Sequence, residues 1–263
     1  MNTSLASRRA LICGSTQGIG KACAFELASL GAEVALLARN EAALRQVLGE
    51  LPAAKSGRHA LLVADFSRPD ELKSVIERDL ASRPEGYQIL INNTGGPAPG
   101  RAIDAAPDQY LAAFSAHIIC NQILASLLVP GMTKAKYGRI INIISTSVKA
   151  PIPGLGVSNT IRGAVASWAK TLATELGPNN ITVNNILPGF TDTERLRSLI
   201  ANRAKAGGKS EEEVAKSMRD SIPLARFASA EEIAAAVAFL ASPAASYISG
   251  INLPVDGGRT PSL

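Results

Sequence analysis

The chain is poor in aromatic residues, cysteine and histidine: Phe, Trp and Tyr make up 4% of its 263 residues, with 3 cysteines and 2 histidines. Each shortage excludes something. His59, His117 and the scattered Cys13, Cys23 and Cys120 form no cluster with metal-ligand spacing, so no metal site is expected. An odd number of cysteines in apolar segments is not a disulfide framework. Buried free thiols in a reducing compartment, the cytoplasm, are the expected reading. No apolar run approaches the roughly 20 residues that span a bilayer, and Met1-Asn2-Thr3-Ser4-Leu5 lacks an apolar signal core. The net charge is +5, but acidic residues are dispersed among the basic ones and no basic run alternates with aromatics. Nucleic-acid and membrane partners are therefore not expected. A small anionic ligand needs only a few local cations and stays compatible with the charge.

What is present is aliphatic and strongly patterned, with 46% of residues hydrophobic. Short apolar stretches end at Cys13, Ala38, Ala64, Ile91, Ile144, Leu187 and Val255, and helical patterns stand between most of them. Helices are expected from Lys21 to Leu30, Glu41 to Leu51, Pro69 to Ala81, Asp104 to Met132, Val157 to Gly177 and Ala230 to Ala241. The first carries Ala22, Phe25, Leu27 and Leu30 near helical spacing; the fifth carries Ile161, Val165, Trp168, Leu172 and Leu176. Alternation of this kind predicts an α/β Rossmann fold, a seven-stranded, mostly parallel, doubly wound sheet with helices on both faces. No repeat or linker interrupts it, so residues 1–263 read as a single domain. Ligands of such sheets sit outside the carboxyl ends of the strands. Gly14, Arg39, Asp65, Asn92 and Ser145 close strands and should line one crevice.

Between the first strand and first helix stands Gly14-Ser15-Thr16-Gln17-Gly18-Ile19-Gly20. Glycines there let the backbone turn and approach a pyrophosphate, whose charge then meets the free N–H groups of the helix. The spacing differs from the common G-x-G-x-x-G, so a tight turn with nothing bound stays open on the loop alone.

Together these motifs resemble the short-chain dehydrogenases/reductases almost end to end. The glycine loop looks like the family's cofactor loop, Asp65 matches its adenine-contacting aspartate, and Asn92-Asn93-Thr94-Gly95 is similar to its Asn-Asn-Ala-Gly stretch. Pro188-Gly189, with Thr193, looks like the nicotinamide-side loop, and the tail through Val255-Asp256-Gly257-Gly258 is close to the usual ending. The resemblance implies an NAD(P)-dependent oxidoreductase interconverting a carbonyl and an alcohol, working as a homo-oligomer, a tetramer or dimer. It assigns to the cofactor Gly14, Ser15, Thr16, Gln17, Gly18, Ile19, Gly20, Arg39, Asn40, Asp65, Phe66, Asn93, Thr94, Gly95, Arg162, Pro188, Gly189, Thr191 and Thr193. The second strand ends in Ala38-Arg39-Asn40 with no carboxylate, and Arg39 suits a ribose phosphate, so NADP(H) is expected over NAD(H). Gln17 stands where NADP-preferring relatives often carry a basic residue.

The chain departs from the family at the catalytic positions. The family's asparagine, serine, tyrosine and lysine correspond here to His117, Ser145, Ser158 and Arg162. A serine hydroxyl is a far weaker acid than an activated tyrosine, and arginine does not give up its proton. Tyr137 lies eight residues before Ser145, which at about 3.3 Å per residue is roughly 25 Å away. Tyr87 also precedes its strand, and Tyr110 and Tyr247 read as packing residues. Lys149, four residues past Ser145, and His117 are the candidate proton donors: a partly desolvated lysine lowers its pKa readily, and an unperturbed histidine titrates near neutrality. The stretches Thr94 to Gly100, Ser147-Val148-Lys149 and Ser158-Asn159 to Arg162 resemble a divergent subgroup of the family that lacks the tyrosine motif.

Residues 191–221 stand where relatives carry a substrate lid, with Gly207-Gly208 as a candidate hinge. The basic Arg195, Arg197, Arg203 and Lys205 there hint at an anionic substrate, but a solvated helix face is the favoured reading, and Glu211-Glu212-Glu213 argue the same way. Three readings stand: an oxidoreductase with an altered proton donor, a catalytically silent NADP(H)-binding sensor or partner subunit, and a 3-oxoacyl carrier-protein reductase of ordinary mechanism. Ser158 argues against the last.

Overall fold

Strands of four to eight residues, apolar on both faces, are buried most completely side by side with helices above and below. The computed structural model, which describes residues 1–54 and 58–262, has this form. Its sheet contains β1 (Arg9–Cys13), β2 (Glu33–Ala38), β3 (Ala60–Val63), β4 (Ile89–Asn92), β5 (Gly138–Ile143), β6 (Ile181–Pro188) and β7 (Asn252–Val255). Their order is β3-β2-β1-β4-β5-β6-β7. Every neighbouring pair is parallel, so the expected Rossmann sheet is present, and parallel throughout. The order reverses between β1 and β4, which opens a crevice at their carboxyl ends.

Nine α-helices stand among the described residues: α1 (Gly18–Ser29), α2 (Glu41–Glu50), α3 (Pro69–Ser82), α4 (Pro107–Phe114), α5 (Cys120–Lys134), α6 (Gly156–Leu176), α7 (Glu194–Gly207), α8 (Glu211–Asp220) and α9 (Ala230–Ala241). Alternate residues of each strand serve opposite cores. Ile12, Leu36, Ile91 and Ile141 face Leu27 of α1 and Val237 of α9. Leu11, Leu37, Leu90 and Ile140 face Ile76 of α3 and Leu124 and Leu128 of α5. Packed against α9 as well as the sheet, α1 buries more than the expected stripe: Cys23, Ala24 and Ala28 join Ala22 and Leu27. Cys13, Cys23 and Cys120 are free and buried, as expected.

One expectation needs correction. The helical run Pro107–Lys134, 28 residues, is long and apolar enough to cross a membrane by length and composition, so the absence of any such run does not hold. Its buried side chains, Leu124, Leu128 and Met132 among them, pack on the sheet. The run is also not one regular helix. A π turn at Ser115–Ile119 joins α4 to α5 and widens the helix where His117 enters the fold. The polar stretch 191–221 is a helical hairpin with its own apolar core. Leu196 and Ile200 of α7 meet Val214 and Met218 of α8, next to Phe190 and Phe227. Gly208, at φ +62°, ends α7, and a capping box of Ser210 with Glu213 starts α8.

Candidate active site

The glycine loop is shaped by close approaches. A Cβ on Gly20 would lie 2.1 Å from the Gly14 carbonyl oxygen, and one on Gly14, at φ +61°, would lie 2.6 Å from the Asn93 carbonyl oxygen. Asn93 donates from Nδ2 to the carbonyls of Cys13 (3.2 Å) and Gly14 (3.3 Å), tying the end of β4 to the loop. Gln17, at the N-cap of α1, makes no side-chain capping bond, and the first turn holds no acid. The N–H groups of that turn are thus left for a ligand. Ser15 Oγ is fully buried with no partner. A cradle that any side chain would fill, an open helix start and an orphaned hydroxyl fit a dinucleotide pyrophosphate.

The other expected cofactor residues surround this loop. Arg39 is exposed at the end of β2, with Nη1 3.9 Å from Asp65 Oδ2. The Ser67 backbone N–H, at 2.8 Å, and then the Arg39 and Arg68 charges hold the Asp65 carboxyl below its ordinary range. The Asn40 side chain caps α2 by accepting from the Ala43 N–H, and the Phe66 ring packs in the core, so neither side chain is committed to the crevice. Thr94 is half-buried and Gly95 exposed in the loop after β4, while Thr16 and Ile19 are half-buried in the glycine loop. Gly189 packs so tightly on Asp256 that a Cβ would come within 2.7 Å of its Cα. Thr191 donates to the Gly189 carbonyl, and Thr193 caps α7 and approaches Gly18, bringing the start of α7 over the glycine loop.

The catalytic candidates converge across the crevice. Ser145 follows β5 and caps the short turn Thr146–Val148, its Oγ accepting from the Ser147 N–H at 3.1 Å. Its own hydroxyl proton stays available to a ligand oxygen. Lys149 closes that turn and is half-buried. Ser158 and Arg162 lie one helical turn apart on α6, both buried. Arg162 Nη1 donates to the Ile143 carbonyl at 3.0 Å, while its Nε is buried and unpartnered. Burial, and then the Arg195 charge, lower its pKa to about 10, so it remains a cation at neutral pH.

His117 overturns the expectation of a group titrating near neutrality. It is 2% exposed, and burial, then the Arg162 and Arg195 charges, push its pKa down to about 3 despite a hydrogen bond to the Gly95 backbone. The imidazole is therefore neutral over the physiological range. It lines a cavity of about 300 Å³ between the Gly95–Ala98 loop and α4, together with Ala112, Ala116 and Val157. A larger hollow of about 740 Å³, around Arg8, Arg9, Glu33 and Glu85, opens at the amino ends of the strands, away from the crevice.

The four tyrosines are placed elsewhere. The Tyr87 hydroxyl donates to Asp79 Oδ2 at 2.5 Å and the Tyr137 hydroxyl to the Ala241 carbonyl at 2.6 Å. Tyr137 is also clasped between Arg8 and Arg139, each 4.0 Å from its ring centre. The Tyr110 hydroxyl reaches the Ala102 carbonyl at 3.4 Å, and Tyr247 is fully exposed.

Two structural supports lie outside the sequence reading. Asn159 Nδ2 donates to the Ile152 carbonyl at 2.9 Å and pins the loop before α6, which is zipped to Gly100 by backbone bonds of 2.7 and 2.9 Å. Beneath the crevice, Asn92, Asn142, Asn185 and Asn252 stand in register on β4 to β7. Each amide donates to the next at 2.8 Å. Asparagines ending adjacent strands were the available signal for this ladder, but only strand order makes them neighbours.

A family profile described as enoyl-(acyl carrier protein) reductase matches residues 14–260. The chain belongs to the short-chain dehydrogenase/reductase superfamily. It is 31% identical over 263 residues to the NADPH-dependent reductase BacG of Bacillus subtilis, covering 98% of this chain and 100% of that one. It is 32% identical to the 3-oxoacyl-[acyl-carrier-protein] reductase FabG of Pseudomonas aeruginosa, covering 97% and 98% of the two chains. The crystal structure of L-sorbose reductase from Gluconobacter frateurii, complexed with NADPH and L-sorbose, matches with a TM-score of 0.93 at 32% identity over the full length of both. As a member of this superfamily the protein is an NAD(P)-dependent oxidoreductase acting on carbonyl and alcohol groups.

Proposed function

We propose that the protein is an NADP(H)-dependent reductase or dehydrogenase of a small carbonyl or alcohol, from a subgroup in which lysine replaces tyrosine as the proton donor. The observation that carries this reading is the crevice: Ser145, Ser158, Arg162 and His117 converge there, with Lys149 on the adjoining turn, while every tyrosine hydroxyl is bonded elsewhere or lies fully exposed. Arg39 beside Asp65, and the NADPH bound in the related L-sorbose reductase, support NADP(H) over NAD(H).

A bound nicotinamide supplies or accepts the hydride. The chain's own residues do the rest. Gly14 to Gly20 and the open start of α1 would hold the dinucleotide's pyrophosphate. Ser145 donates its hydroxyl proton as a hydrogen bond to the substrate oxygen and so orients it. The Lys149 ammonium, one short turn away, delivers the proton that the oxygen takes up as it becomes a hydroxyl, and recovers it from solvent. Neutral His117, bonded to Gly95, orients the substrate without protonating it. Ser158 and Arg162 secure the α6 side of the site. The α7–α8 hairpin, held as one unit by its own core, serves as the lid.

Exposed Leu111, Phe114 and Ile119, on and beside α4, support assembly of a homo-oligomer through this side of the molecule. Buried, unpaired cysteines favour a reducing, cytoplasmic setting.

The test is a fluorescence titration with NADPH and NADH, followed by NADPH oxidation against ketones, aldehydes and ketoacyl thioesters. Lys149→Met should lower turnover by about 100-fold or more while NADPH affinity stays within about threefold of the unmodified chain. An unchanged rate removes Lys149 from the mechanism. Tight NADPH binding without turnover of any carbonyl establishes the silent-sensor reading.

A further inference from the structure

Four basic residues of the lid region invite a role in binding, and the structure separates them. Arg197 is neutralised by Asp192 at 3.2 Å and Glu194 at 3.8 Å. Arg203 and Lys205 lie further along α7. Arg195 lies against the crevice: its Nη1 donates to the Gly96 carbonyl at 3.2 Å, and its guanidinium fills the space a Cβ on Gly96 would take. Gly96 lines the 300 Å³ cavity next to Gly95 and His117.

Arg195 is solvent-exposed, so it stands at the rim. Arg162 is 7% exposed, on α6, with an orphaned Nε. The Arg195 charge is felt at both Arg162 and His117. Among the described residues no carboxylate pairs with either arginine, whereas Arg197, two positions on, has two. Two cations and a neutral imidazole thus share one crevice with no anion of the protein to balance them. Burying a guanidinium without a counter-charge is costly, and a ligand oxyanion would repay it with charge-assisted bonds.

We propose that Arg195 and Arg162 form an oxyanion subsite for a carboxylate carried by the substrate, so that the preferred substrates are oxo acids or hydroxy acids, not neutral ketones. This rests on the reading of the crevice as an oxidoreductase site. The guanidinium fork suits a planar carboxylate, and the cavity beside it, lined by Ala112, Ala116 and Val157 together with the polar His117 and Gln109, accepts the uncharged remainder. A dinucleotide pyrophosphate would be the other oxyanion in the crevice, and the residues that fit it are at the start of α1.

The experiment measures binding, so it does not depend on turnover. The enzyme–NADPH complex is titrated with oxalate by nicotinamide fluorescence, with acetone as the neutral control. The same titrations are run on Arg195→Met and on Gly96→Ala, whose added methyl displaces the guanidinium without removing its charge. Oxalate should bind the unmodified complex, and both variants should weaken it, Arg195→Met by roughly 10- to 100-fold, with NADPH affinity within about threefold. Equal oxalate affinity in all three proteins overturns the proposal. A tenfold loss of NADPH affinity in Arg195→Met with oxalate binding unaffected assigns the arginine to the pyrophosphate and also overturns it. Failure of all carbonyls to turn over, with oxalate binding intact, defeats the oxidoreductase reading but leaves the subsite standing.

Discussion

Replacing the histidine of the π turn by asparagine, His117→Asn, tests whether His117 is locked in its neutral form. In the unfolded chain a histidine takes up a proton near pH 6.5; in the fold, burial and the two arginine charges delay this to about pH 3. Between those values the unfolded state binds the extra proton, so stability is full above about pH 6.5 and is lost as pH falls toward 3. The complete window is worth ~5 kcal/mol, and the part down to about pH 5 is worth ~2 kcal/mol. That is a sizeable share of the roughly 5–15 kcal/mol that holds a domain together. Asparagine has no such proton to refuse. The assay is urea unfolding of both proteins at several values from about pH 7.5 to about pH 5, comparing only the change in their difference. The variant should gain ~2 kcal/mol on the parent over this range. A difference constant to within about 0.5 kcal/mol would mean that the site solvates or pairs the imidazolium, and would refute the argument. Proton resonances give a second check, because the chain has only 2 histidines and the variant identifies the His117 signal. That signal should not shift across neutrality.

Arg39→Ala should weaken NADPH binding by about 10- to 100-fold while NADH changes by less than about threefold, as measured by fluorescence titration; equal losses for both would remove Arg39 from the choice of cofactor. Asn142→Leu leaves the Asn92 amide and the Asn185 carbonyl oxygen without their shared partner, in a place closed to water. Each orphaned group costs about 1–3 kcal/mol, so urea denaturation should show a loss of about 2–6 kcal/mol. A loss below about 1 kcal/mol would mean that the ladder contributes little net stability.

Much of the architecture can be read directly from the residues because it depends on local pattern. The strand from Gly138 and the helix from Ala230 to Ala241 lie where the periodicity puts them, since alternating apolar stretches have few other ways to bury themselves. The glycine loop is likewise legible: Gly14 and Gly20 leave no room for a side chain, and the open start of α1 follows from the absence of a capping residue. The proposed loss of the tyrosine and lysine pair rests on counting from Ser145 to Ser158 and Arg162 of α6.

Charge state and partnership are not local. His117 reads from sequence as a neutral-range titrating group; only the closure of α4, α6 and the Gly95 loop around it, and two arginines 45 and 78 residues further along, shift it out of that range. Arg195 and Arg197 are alike in sequence and differ in whether Asp192 or Gly96 lies within reach. The asparagine ladder requires the order β4-β5-β6-β7, and the α7–α8 core requires a turn at Gly208. Sequence alone therefore determined that this chain folds as a Rossmann sheet with a tight glycine loop at the start of its first helix, because hydrophobic periodicity and glycine geometry act over a few residues. Tertiary structure decided which side chains in the crevice are charged, paired or free to act, because desolvation and Coulomb forces depend on neighbours that the chain brings together only by folding.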